Sequence, residues 1–347
     1  RPQHPMSRRQ RQMCIRDSMT SEHFFLHQNG MSAKAQSDTK KMIHHSPLDA
    51  CAETGVWFPM GIDGDFPEDQ RIADGQSLCF DMEPQTEPAE ILGHPQLKLE
   101  ISVNQPLALV AARLCDVSPQ GDSLLVSWGL FNLCHHRSHE NPEPLIPNQK
   151  IQVEFPLRAC AHRLLPGHRW RLSLSTSCFP HAWPSPKLVE LQVHPGNNTF
   201  LTLPVREKND SQTPRFEPAE SSIPLDNIIL EQGRRNRVVS RDASNGKTVL
   251  EDQNHSGRVL FQESGLEMED KASDRLEITK EHPLSMITEC QRTASIGRGD
   301  WQTRIETKSR MTSDEMNFYL ENHLEAYEND HVVFQKSWKT SVPRSFV

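Results

Sequence analysis

No window of this sequence approaches the roughly 18 consecutive apolar residues that a membrane-spanning helix needs, and the N-terminus lacks the apolar core of a secretory signal. A membrane is therefore not an expected partner, and the cytoplasm is the default compartment. Positive charge is also in short supply. With 38 basic against 46 acidic residues and a formal net charge of −8, there is no broad basic surface to neutralise phosphates, which removes nucleic acid as a partner. The eight cysteines (Cys14, Cys51, Cys79, Cys115, Cys134, Cys160, Cys178, Cys290) stand singly, without the C-x-x-C pair of zinc or redox sites, and read as reduced, mostly buried thiols. No serine has glycine two residues away on both sides, so the Gly-x-Ser-x-Gly elbow of a hydrolase nucleophile is missing. H-E-x-x-H, the Walker A loop and G-x-G-x-x-G are missing too, which excludes the commonest metalloprotease and nucleotide-binding readings.

What the sequence does hold is strand periodicity. Residues 1–18 carry five arginines before the first acid and no period, and read as an artefactual leader before Met19. Residues 19–53 are polar and irregular, so 1–53 as a whole is expected to be disordered or extraneous. From 54 to 205 the pattern is β. QLKLEISV at 96–103 alternates Leu97, Leu99, Ile101 and Val103 against polar residues, KIQVEF and RWRLSLST repeat the period, and LALVAARLCDV reads as a strand covered on both faces. Pro147-Asn148 and Pro166-Gly167 supply turns. Residues 206–222 are polar and read as a linker; 223–347 form a second, smaller antiparallel domain, with a hairpin turn at Asn245-Gly246, another at 328–330, and Met316, Phe318 and Leu320 on one face. The expected fold class is all-β, a jelly-roll sandwich followed by an antiparallel β domain.

Few residues suggest chemistry. Cys134, His135, His136, His139 and Glu140 are the densest titratable cluster, but adjacent histidines on an extended segment point to opposite faces, and a solvated loop is the better reading. Arg298-Gly299-Asp300 reads as a tight turn before a strand. Trp128, Trp170, Trp183 and Trp301 could present a sugar-stacking face, although tryptophan in a strand pattern is more often core. No catalytic, cofactor-binding or metal-ligating residue is assigned.

Three stretches agree in order, spacing and turn residues with a known family: GDFPEDQRIADGQSLCFD, EILGHPQLKLEISVNQPLALVAARLCDVSPQGDSLLVSWGLFNLCHHRSHENPEPL, and LRACAHRLLPGHRWRLSLSTSCFPHAWPSP. Together they resemble the C-terminal, non-catalytic domain of CocE/NonD hydrolases, the X-Pro dipeptidyl-peptidase-like family. GRGDWQTRIETKSRMTSD and VFQKSWKTSVPRSFV resemble an extra C-terminal β region of one branch. The resemblance implies a galactose-binding-like jelly roll packed on an α/β-hydrolase domain, whose Ser, His and Asp carry out acyl transfer. That domain is the implied partner, with self-association into a homo-oligomer compatible with it. The family's triad precedes the jelly roll, and none of its members can be carried onto this chain; His44 and His45 stand in no matching context. An inert accessory region with an apolar docking patch on the first domain is one expectation. A self-sufficient β-sandwich module that binds carbohydrate or another ligand is the alternative.

Overall fold

Alternating side chains become strands when both faces find a partner, and in this chain the partners are often distant in sequence. The computed structural model describes residues 19–36, 40–206 and 217–347; the expectations for residues 1–18 and most of the 206–222 linker lie outside the described residues. The described residues divide into two compact units. One gathers the chain up to Ser46, Glu68–Thr176 and Val189–Glu217; the other gathers Pro47–Pro67, Ser177–Leu188 and Pro218–Val347. Among them no helix is long and apolar enough to cross a membrane.

The first unit runs β1 (Met19–His27), β2 (Gly30–Ser32), β3 (Met42–His45), the short helix α1 (Arg71–Gly75), β4 (Leu78–Asp81), β5 (Ala89–Gly93), β6 (Gln96–Val103), β7 (Leu109–Val117), β8 (Ser123–Asn132), β9 (Ile151–Pro156), β10 (Cys160–Leu164), β11 (Arg169–Ser175), β12 (Glu190–Val193) and β13 (Phe200–Arg206). Its larger sheet has the order β10-β5-β13-β6-β12-β3, with β1 and β2 joined at β13 and β9 at β6; the smaller is β4-β11-β7-β8. All pairings are antiparallel. The sheets stack as a curled sandwich, with Phe131 of β8 lying parallel to Phe155 of β9 at 5.2 Å between ring centres. The apolar run of β7 is buried from Val110 to Val117, as a strand covered on both faces must be.

Residues 19–53 depart from the expected irregular segment, because they hold β1, β2 and β3. β1 pairs seven residues with β13, from Met19–Arg206 to Phe25–Phe200. Its first half is largely exposed and only Phe24 and Leu26 of its apolar residues are buried, so its alternation is too short to stand out against the polar flanks. Tertiary pairing supplies what local pattern does not.

The second unit holds β14 (Asn227–Glu231), β15 (Arg234–Asp242), β16 (Lys247–Phe261), β17 (Leu266–Thr279), β18 (His282–Arg298), β19 (Trp301–Ser313), β20 (Asn317–Glu328) and β21 (His331–Pro343). They form one antiparallel sheet in the order β14-β16-β17-β18-β19-β20-β21, with β15 also on β16. Gly246, at φ 68°, makes the β15–β16 hairpin corner, and Asn329, at φ 51°, that of β20–β21. Leu250, Ile278 and Met286 of the sheet pack with Leu48, Ala52 and Phe179 from the two earlier segments, and Arg241 ties down the first of these by ion pairs to Asp49 (2.8 Å) and Glu53 (2.7 Å). The unit is therefore assembled from residues that a cut at 54 and 205 would divide. Phe318 and Leu320 are half-buried on β20, but Met316 is exposed in the preceding turn and does not share their face.

Candidate functional site

The face of β11 that carries Arg169, Arg171 and Ser173 points at charge brought from three other elements. Register sets Arg171 opposite Asp81 of β4 and Ser173 opposite Arg113 of β7, while α1 delivers Asp74. Asp74 takes Arg113 and Arg171 at 3.1 Å each and accepts hydrogen bonds from the hydroxyls of Ser123 (2.7 Å) and Ser173 (2.9 Å). Asp81 accepts from Arg171 at 2.6 and 2.8 Å and from Arg169 at 2.9 Å. Burial alone would raise the Asp81 pKa, but the hydrogen bonds from Arg171 and Arg169 outweigh it and hold the carboxyl below its ordinary range. Such a network fixes α1 and four strands, β4, β7, β8 and β11, against one another; it presents no activated nucleophile.

On the opposite face of β7, Asp116 lies between two imidazoles, His162 Nε2 at 2.9 Å and His168 Nδ1 at 2.7 Å. His162 stands edge-on to Trp170 at 5.6 Å. Trp170 in turn lines a cavity of about 960 Å³, whose wall mixes apolar side chains such as Phe24, Ile91 and Leu203 with the charged Glu22, Glu90, Arg163 and Arg206. Glu90 pairs with both Arg163 (3.8 Å) and Arg206 (3.5 Å). Guanidinium groups beside an apolar wall suit a polar ligand with one apolar face, which makes this cavity the first unit's candidate binding site. Nothing in the sequence spacing of His162, His168 and Asp116 signals their meeting; it follows from the pairing of β7 with β11 and from β10 lying close by.

The residues singled out in sequence are mostly kept apart. Asn132 caps a 3₁₀ turn at Leu133–His135, where the Cys134 thiol is buried and donates to the Pro106 carbonyl, and His136 Nδ1 bonds the Leu133 carbonyl at 3.0 Å. His135 and His139 do meet, with ring centres 5.4 Å apart, while the Glu140 backbone amide donates to the Ser138 hydroxyl. Trp128 and Trp170 are buried in the first unit, Trp183 packs edge-to-face on Phe318 in the second, and Trp301 is half-exposed at the start of β19. The four tryptophans thus form no common platform. Arg298-Gly299-Asp300 is the β18–β19 turn, with Gly299 at φ 57°. His44 and His45 on β3 bond the Gln76 carbonyl (3.1 Å) and pair with Glu190 (3.4 Å).

A different surface draws notice in the second unit. The loop 57–66 exposes Trp57, Phe58, Met60, Ile62 and Phe66, a concentration of apolar side chains beyond the scattered exposure that any surface carries. Asp65 anchors it, accepting from the Met60 and Ile62 amides and pairing with Arg235.

The family model for the X-Pro dipeptidyl-peptidase C-terminal non-catalytic domain matches residues 5–240. The chain belongs to this family. The match to the X-Pro dipeptidyl-peptidase C-terminal domain begins well before residue 54, in keeping with β1–β3 being integral to the sandwich. Among curated proteins the chain is similar to cocaine esterase of Rhodococcus sp. (strain MB1 Bresler), 29% identical over 140 residues, which span 39% of this chain and 24% of the esterase. Among solved structures it is similar to an alpha-amino acid ester hydrolase (24% identity, TM-score 0.46, 54% of this chain and 36% of that one). It is also similar to an aminopeptidase from the marine sediment archaeon Thaumarchaeota archaeon (18% identity, TM-score 0.47, 54% and 37%). The chain thus matches about a quarter to just over a third of these relatives' lengths.

Proposed function

We propose that this chain is the accessory, non-catalytic part of a CocE/NonD-type serine hydrolase acting on ester or amide bonds, and that its working partner is an α/β-hydrolase catalytic domain. The observation that carries the reading is the family match over residues 5–240, whose family is itself defined as non-catalytic. Two features support it. No serine sits in a Gly-x-Ser-x-Gly elbow, and the exposed apolar loop 57–66 offers surface suited to burial against another domain. In this role the β scaffold shapes a neighbouring substrate pocket and is inert alone, in the cytoplasm.

The test is hydrolysis of a chromogenic ester by the purified chain. No turnover above buffer is expected. Turnover that disappears when one of the chain's own serines is replaced by alanine overturns the reading.

A second reading, a stand-alone carbohydrate- or ligand-binding module, is favoured by the cavity beside Trp170. A glycan array together with a thermal-shift screen separates the two, since a true ligand raises the melting temperature by mass action. A hit abolished by Arg163→Ala supports the module; a flat screen supports the accessory role.

A further inference from the structure

Strand β16 changes neighbours in mid-course. From Lys247 to His255 it pairs with β15, and from Arg258 to Phe261 with β14; its register against β17 shifts between the same two residues. His255 occupies the last rung before the break. Two glycines let the chains close up there. A Cβ on Gly257, at φ 86°, would lie 2.5 Å from the Glu231 carbonyl oxygen, and one on Gly233 would lie 3.0 Å from that of Ser256. At Gly257 only glycine permits that approach, and the approach sets Glu231 beside His255.

Three strands contribute one group each. His255 Nε2 is 2.9 Å from a carboxylate oxygen of Glu269 on β17, and Nδ1 is 3.6 Å from one of Glu231 on β14. The other Glu269 oxygen pairs with Lys271 at 3.0 Å. The imidazole is 7% exposed, and its Nδ1 is buried with no hydrogen-bond partner. One ligand atom from each of Glu231, His255 and Glu269 lies within 4.8 Å of the others. In the tautomer that donates Nε2–H to Glu269, Nδ1 presents a lone pair toward the Glu231 carboxylate. Two acceptors then face each other at the edge of a buried imidazole, an arrangement that a cation between them satisfies.

The spacing fits a metal ion. Ligand atoms bound at about 2.1 Å in tetrahedral geometry stand roughly 3.4 Å apart, close to the Nδ1–Glu231 separation. A carboxylate on the far ring nitrogen, as Glu269 provides, is the usual way a ligating histidine is oriented. We propose that His255 Nδ1 and Glu231 bind a divalent cation of the zinc class, with Glu269 orienting the imidazole and water completing the shell. The exposed side of Glu231 is the entry path.

The experiment titrates the full chain, free of affinity tags, with Zn2+ by calorimetry and by competition with a chromogenic chelator. Wild type is expected to take up one equivalent. Glu231→Gln and His255→Gln should weaken that equivalent at least about tenfold, Glu269→Gln by about ten- to a hundredfold, and His139→Gln, in the exposed histidine loop, should leave it intact. Circular dichroism checks the fold of each variant, and Glu231→Gln, at a half-exposed position, decides the matter if the buried His255 variant unfolds. The proposal is overturned by the absence of Zn2+ uptake, by uptake that survives Glu231→Gln, or by uptake lost in His139→Gln.

Discussion

Asp74 and Arg113 lie 3.1 Å apart inside the first unit, with side chains 4% and 1% exposed. Charges this deep persist only because each is matched: Gln70 and Ser77 take further guanidinium hydrogens, and Arg171, Ser123 and Ser173 serve the carboxylate. Removing one member strands the other. Asp74→Ala is expected to lower the unfolding free energy by about 3–5 kcal/mol, whereas the paired change Asp74→Leu with Arg113→Met costs less than the single one. Urea denaturation of the three variants checks the order.

Acid stability should follow Asp81. Its folded pKa lies below the ordinary value of 3.8, because the arginine hydrogen bonds outweigh burial. A depressed folded pKa means the stabilisation is fully present above the unfolded value and is lost as pH falls through the folded one. Unfolding free energy is therefore expected to hold level down to about pH 5 from this group and to fall below about pH 4. Asp81→Asn should give a shallower acid limb in the same titration.

Gly30, at φ 132°, seats β2 against β4. A Cβ there would meet the Asp81 carbonyl oxygen at 2.2 Å, a backbone atom that cannot step aside. Gly30→Ala is expected to cost about 2–4 kcal/mol, from left-handed strain together with overpacking. A drop in melting temperature of the variant is the readout, and an unchanged value would show that the β2–β4 contact does not matter to the sandwich.

Three thiols should be slow. Burial pushes the Cys115 thiol up to about 12, and burial likewise takes Cys160 to about 11 and Cys290 to about 11, from 9.0. At pH 8 a thiol near 11 carries about one hundredth of the thiolate of one near 9. Labelling of the native chain with a chromogenic disulfide, followed by peptide mapping, should find Cys160 and Cys290 modified about a hundredfold more slowly than in urea, and Cys115 more slowly still.

Deleting residues 19–46 removes β1–β3 and with them the seven-residue pairing to β13. That leaves the β13 edge unpaired and uncovers core that Phe24 and Leu26 now fill. The truncated chain is expected to aggregate or to lose hydrogen-exchange protection along Phe200–Arg206; retained protection would mean these strands are dispensable.

Where periodicity was strong, the strands were legible. QLKLEISV became β6 with the same ends, and its alternation appears as Leu97, Leu99 and Ile101 fully buried. The all-β class and the hairpin at Gly246 were equally readable, since each rests on neighbours a few residues apart. β1 was not, because its two buried apolar residues make too short a pattern. Nor was Trp301, whose indole stays half-exposed where strand context suggested core.

By itself, then, the sequence determined the strongly periodic strands, their turns and the family, properties carried by side-chain period and by glycine's or asparagine's access to positive φ. Only the tertiary structure decided that residues 47–67 and 177–188 complete the second unit, that Asp116 gathers His162 and His168, and that Glu231 and Glu269 flank His255. The physical reason is register: antiparallel pairing brings together residues whose separation along the chain has no period, so no local pattern can announce them.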